Sequence, residues 1–99
     1  MSIDTFAHFD LHPQLAQTVA ELGYVIPTPI QQSAIPLLLA GRDLIGQAQT
    51  GTGKTAAFGL PLMQRMNGRN RGVQGLVLAP TRELAIQVAD ALQSYGQGL

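Results

Sequence analysis

The sequence predicts an α/β fold with a parallel βαβ core preceded by short helices, and three observations carry that prediction. GLVLAP at 75–80 is an unbroken apolar run closed by a proline, the pattern of a strand covered on both faces. DLIGQA at 43–48 is a second apolar segment, too short for a free-standing helix. Each is followed by helical periodicity, so strand, helix, strand and helix alternate as in a βαβ unit.

The elements follow in order. HPQLAQTVAELG predicts an amphipathic helix, with Pro13 suited to its first turn, Leu15, Val19 and Leu22 on one face and Gly23 as its stop. In YVIPTPIQQSAIPLLLAG, Pro27 and Pro29 hold the chain extended, and Pro29 opens a helix running towards Leu39 and bounded by Gly41. Pro36 is expected to kink that helix or to start a new turn. After the first strand, KTAAFGLPLMQRM is helical but weakened by Gly59 and Pro61, and NGRNRGVQ is a polar loop. TRELAIQVADALQSYG then places Leu84, Val88 and Leu92 at four-residue steps beside Ala85 and Ala89, a helix ending near Gly96. The expected organisation is one unit over 1–99, with 1–41 leading into 42–99, the βαβα part.

Composition sets limits on function. Hydrophobic residues make up 45% and charged residues 12% of the 99 positions, which suits a folded core rather than a disordered tail. Six basic side chains balance six acidic ones, so any nucleic-acid binding must come from local groups. There is no cysteine, which excludes a disulfide framework and thiolate metal sites. No run approaches the roughly 18 apolar residues of a membrane span, so no membrane partner is expected and the cytoplasm is the default location. His8 and His12 stand four residues apart, but no glutamate lies between them and Pro13 breaks the helix that a zinc protease would need there.

The chemistry concentrates in AQTGTGKT, residues 48–55, between a strand and a helix. Close approach of backbone N–H groups to phosphate oxygens requires positions without side chains, here Gly51 and Gly53, and the helix N-terminus adds its positive dipole end. Lys54 supplies a mobile charge for β- and γ-phosphates, and Thr55 a hydroxyl for their Mg²⁺. Against the general G-x-x-x-x-G-K-[ST] pattern, Ala48 stands where glycine is usual. The competing reading is a flexible turn that happens to contain Gly-x-Gly-Lys-Thr.

Three segments in fixed order, GYVIPTPIQ at 23–31, AQTGTGKT at 48–55 and PTRELA at 80–85, resemble the Q motif, motif I and motif Ia of the DEAD-box ATP-dependent RNA helicases. Alanine at position 48 is what that family uses. The resemblance covers essentially the whole chain and implies the N-terminal part of a first RecA-like domain, with ATP and Mg²⁺ as cofactors. It implies nucleotide contacts from Phe9, Gly23, Thr28, Gln31, Ala48, Gln49, Thr50, Gly51, Thr52, Gly53, Lys54 and Thr55, with Lys54 and Thr55 serving catalysis and Thr55 the metal.

By the same resemblance Gln31 reads adenine, and its carboxamide offers the donor and acceptor that adenine's N7 and N6 require. Thr28 and Gln31 also fit a helix capping box, and the two roles compete for the same amide. Phe9 resembles the family's upstream aromatic that stacks on the base, its alternative being a core anchor; Tyr24 is read as a packing residue. Pro80, Thr81 and Arg82 are implied to grip the backbone of single-stranded or short duplex RNA without reading sequence, where the alternative is an ordinary N-cap with a surface arginine. Arg69 and Arg71 fit a solvated loop better than an RNA contact.

Beyond motif I the only acidic residues are Glu83 and Asp90, and neither follows an apolar strand. The carboxylates that hold Mg²⁺ and position water are therefore expected in sequence outside this chain, as is the second helicase domain. Besides a helicase segment, the sequence admits a binding module without turnover and an unrelated phosphate-loop ATPase.

Overall fold

The computed structural model describes residues 5–6, 9–46, 53–66 and 72–97. Four helices are assigned among them: α1 (Pro13–Glu21), α2 (Pro29–Leu39), α3 (Lys54–Arg65) and α4 (Arg82–Tyr95). All four stand where the apolar periodicity predicts them.

Helix α1 starts with Pro13 in its first turn, and the His12 Nδ1 accepts a hydrogen bond from the Gln14 N–H at 3.3 Å. It ends in a Schellman turn: Gly23, at φ 85°, donates to the Ala20 carbonyl at 3.0 Å, and Tyr24 donates to Val19 at 3.1 Å. The left-handed backbone there is the reason for glycine. Helix α2 closes with the same pattern around Gly41. It continues without interruption through Pro36, which starts no new element and stays exposed.

The core is formed by Phe6, Phe9, Leu15, Val19, Ile35, Ala56, Leu60 and Tyr95, with Leu15, Ile35 and Leu60 fully buried. Helix α3 is the centre of the packing, against α2 on one side and α4 on the other, while α1 meets α4. Each fully buried aliphatic side chain contributes about 1.5–3 kcal/mol of transfer free energy. The segment entering α1 is tied to α3 by Gln64, whose Oε1 accepts from the His12 N–H at 2.7 Å and whose Nε2 donates to the Asp10 carbonyl at 2.8 Å.

The expected strands are not present among the described residues. Residues 42–46 and 73–79 carry no regular secondary structure, and residues 47 and 48 lie outside the described set. The physical reason is the missing ladder: a parallel strand exists through hydrogen bonds to a neighbouring strand, and among the described residues no strand pairing is assigned to these segments. Several of their apolar side chains are instead left in solvent, Ile45 at 94% exposure and Val73 at 91%, while Val77 and Ala79 are half-buried.

Candidate nucleotide and RNA site

The N-termini of α2 and α3 meet at Gln31. This side chain is 4% exposed, a rare burial for a glutamine, and both ends of its amide are used. Oε1 accepts from the Thr28 N–H at 2.9 Å, the cap that the Thr28–Gln31 spacing predicts. Nε2 donates to the Gly53 carbonyl at 3.0 Å, joining α2 to the residue that opens α3. The reciprocal half of the capping box, the Thr28 side chain towards the Gln31 backbone N–H, is in place without a hydrogen bond of ordinary geometry. Thr28 Oγ1 is buried and has no hydrogen-bond partner among the described residues.

Gly53 is required twice over. It sits at φ 81° as the N-cap of α3, and a Cβ on it would run into the Gln31 amide. Lys54 and Thr55 are the first two residues of α3; Lys54 is exposed and Thr55 half-buried. Ala48, Gln49, Thr50, Gly51 and Thr52 lie outside the described residues, as do Arg69 and Arg71.

At α4, Thr81 is the N-cap, its Oγ1 accepting from the Leu84 N–H at 3.1 Å. Pro80 precedes it, Arg82 follows as the first helical residue, and all three are exposed. Lys54 and Arg82 thus each place a positive charge on the positive end of a helix, an arrangement that costs stability until an anion arrives. Neither is ion-paired among the described residues. Glu83 in the first turn of α4 offsets part of that charge.

Phe9 is a core residue in this conformation, 6% exposed and edge-on to Phe6 with ring centroids 5.5 Å apart. Gly23 is exposed and ends α1. Tyr24, half-buried, packs on Phe6 and Tyr95, and its hydroxyl lies 3.2 Å from that of Tyr95. Sequence reading did not single out Phe6, Gln64 or Tyr95. The partners of Gln64 stand 52 and 54 positions away, and that separation leaves no local signal.

No group of three or more His, Cys, Asp or Glu side chains capable of holding a metal occurs among the described residues. A magnesium ion carried by a nucleotide needs less from the protein, since phosphate oxygens and water fill most of its octahedron. The Thr55 hydroxyl at the start of α3 fits that smaller requirement.

Residues 28–99 match the family model described as DEAD/DEAH box helicase. The chain belongs to this family. It corresponds to the N-terminal region of the first RecA-like domain. Among curated relatives it is 56% identical over 93 residues to the ATP-dependent RNA helicase DeaD of Buchnera aphidicola (subsp. Acyrthosiphon pisum), covering 94% of this chain and 16% of that protein. It is 52% identical over 93 residues to the DEAD-box ATP-dependent RNA helicase CshA of Bacillus subtilis, with 94% and 19% covered. A DEAD box protein from Methanococcus jannaschii superposes with TM-score 0.90 at 39% identity, over 97% of this chain and 26% of that one. The S. cerevisiae Dbp5 structure bound to RNA and ADP BeF3 gives 0.92 at 38%, over 98% and 25%. The chain thus spans about one sixth to one fifth of these curated relatives.

Proposed function

We propose that this chain is the ATP-binding segment of an ATP-dependent RNA helicase that separates short RNA duplexes, and that it is catalytically incomplete alone. The observation that carries the reading is the hydrogen bond from Gln31 Nε2 to the Gly53 carbonyl, which sets the candidate base reader against the opening of the candidate phosphate helix. The family and the names of its relatives support it.

In this reading Ala48 to Gly53 wrap the phosphates, Lys54 neutralises charge on the β- and γ-phosphoryl oxygens, and Thr55 holds the magnesium ion. That ion, when bound, supplies positive charge to the oxygens that become more negative during transfer. Gln31 keeps one free N–H and one free lone pair on its amide, the pair of positions that adenine requires. Thr28 fixes the turn before it, and Gly23 aims the chain towards it. The core position of Phe9 favours an anchoring role, and stacking on the base requires its ring to leave the core. Pro80, Thr81 and Arg82 grip RNA phosphates through helix amides and a guanidinium, independent of sequence. Residues 43–48 and 75–80 become parallel strands once the neighbouring strands of the complete domain supply the ladder.

The test uses the longer protein containing this chain. Lys54→Ala should abolish ATP turnover while leaving the fold, because Lys54 is exposed and outside the buried core. Arg82→Ala should weaken binding to unrelated RNA sequences alike and reduce the salt dependence of binding by about one phosphate contact. Retained turnover in the first variant would refute the nucleotide assignment, and a loss confined to one RNA sequence would refute the backbone grip.

A further inference from the structure

Tyr95 closes α4 at the end opposite Arg82, about 20 Å away along a 14-residue helix. It is 3% exposed, and it touches two elements at once. A Cβ on Gly59, in the middle of α3, would come within 3.3 Å of its ring, so α3 and α4 are in close contact there. Its hydroxyl meets that of Tyr24 at 3.2 Å, with the two rings edge-on at 6.0 Å.

Tyr24 stands immediately after the Schellman turn of α1 and four residues before Thr28. The chain between them has little slack. The Phe6 N–H donates to the Val25 carbonyl at 2.9 Å, Gln32 Nε2 donates to the Pro27 carbonyl at 3.1 Å, and Pro27 and Pro29 restrict the backbone. These bonds tie the segment between Tyr24 and Thr28 at both ends.

We propose that Tyr24 and Tyr95 are positioning residues that couple the nucleotide end of the chain to the RNA end, through a hydroxyl pair joining the Gln31 segment to the far end of the Arg82 helix. The inference rests on the function proposed above. Burial, reinforced by the Tyr24 hydrogen bond, pushes the Tyr95 phenol well above its ordinary value, so the Tyr95 hydroxyl keeps its proton. The mechanical elements are short and packed: α4 moves as one rod, Tyr95 wedges between it and α3, and the hydroxyl pair transfers the shift to residues 24–28.

The two phenylalanine variants differ in cost. Tyr24 is half-buried as a residue whereas Tyr95 is buried, so Tyr95→Phe is expected to strand its partner hydroxyl less than Tyr24→Phe does. Tyr95→Phe is thus the cleaner probe, and Tyr24→Phe with the double variant completes a cycle.

In the longer protein, RNA affinity is measured with and without ADP and beryllium fluoride for all four forms, together with the unfolding midpoint. The ratio of the two affinities is the coupling, a quantity that a merely structural role would not move. The expected result is a coupling ratio lowered about threefold in Tyr95→Phe, with the double variant no lower than the worse single one. An unchanged ratio in Tyr95→Phe, or additive losses in the double variant, would overturn the inference while leaving the proposed function standing. A wild-type protein that binds neither nucleotide nor RNA would remove both.

Discussion

Gln31 has four hydrogen-bonding positions, two N–H groups and two lone pairs, and the folded chain uses one of each. The cap to Thr28 was legible from a spacing of three residues. The bond to Gly53 was not, since it spans 22 positions and depends on how α2 and α3 pack. Sequence reading set cap against base reader as rivals, yet the amide has capacity for both. In the longer protein, Gln31→Ala should therefore lower ATP affinity about ten- to a hundredfold, the equivalent of about 1–3 kcal/mol for a lost bidentate contact, and remove preference for ATP over GTP. Gln31→Glu separates the roles. A carboxylate still accepts from the Thr28 N–H but cannot donate to the Gly53 carbonyl, so affinity should fall with the cap retained. Equal ATP affinity in wild type and Gln31→Ala, with folding preserved, would leave Gln31 as a cap alone.

At the scale of the element, Gly59 shows what periodicity can and cannot tell. The pattern of α3 was legible although Gly59 and Pro61 weigh against a helix, because enough apolar residues recur on one face. Why a glycine occupies its middle could not be read, since the answer is a neighbour over 30 residues away: a Cβ at 59 would lie 2.7 Å from Leu92 Cδ2 and 3.3 Å from the Tyr95 ring. The Leu92 atom is a side-chain end able to turn aside, whereas the Tyr95 ring is held by its burial. Gly59→Ala gains about 1 kcal/mol of helix propensity, which offsets most of the crowding. Gly59→Val adds two methyls in the same gap and should cost about 1–3 kcal/mol by overpacking. Thermal unfolding of the longer protein checks this: a lower midpoint is expected for Val, with Ala close to wild type. A Val variant as stable as wild type would mean that α3 and α4 can separate there freely. The strands are the opposite case. Their sequence pattern is apolar enough to be read, but the structure they need lies in partners, which no local pattern supplies.

For the whole molecule, compactness and completeness separate. The radius of gyration is 13.0 Å, that of a folded domain of about this length. Yet Ile45, Val73, Leu76 and Leu78 are 94%, 91%, 79% and 84% exposed, although the same residues have the character of a sheet interior. They fall in two segments to which no strand is assigned among the described residues, and the formal net charge of +0 provides no general repulsion between copies. Isolated 99-residue chains should therefore self-associate, with these apolar segments meeting those of a second copy. Replacing Val73 and Leu78 by lysine should reduce the association, since charge on such segments opposes pairing. The same chain should release no phosphate from ATP, with or without RNA. Its acidic residues after Lys54 are Glu83 and Asp90, one in the first turn of α4 and one exposed on that helix, and neither is placed beside a strand to hold magnesium or orient water. Sedimentation across a concentration series and an RNA-stimulated phosphate-release assay check both expectations. A monomer at every concentration would show that the exposed residues are covered from within the chain. Phosphate release dependent on RNA would require a catalytic carboxylate among residues to which neither sequence nor geometry gives that role.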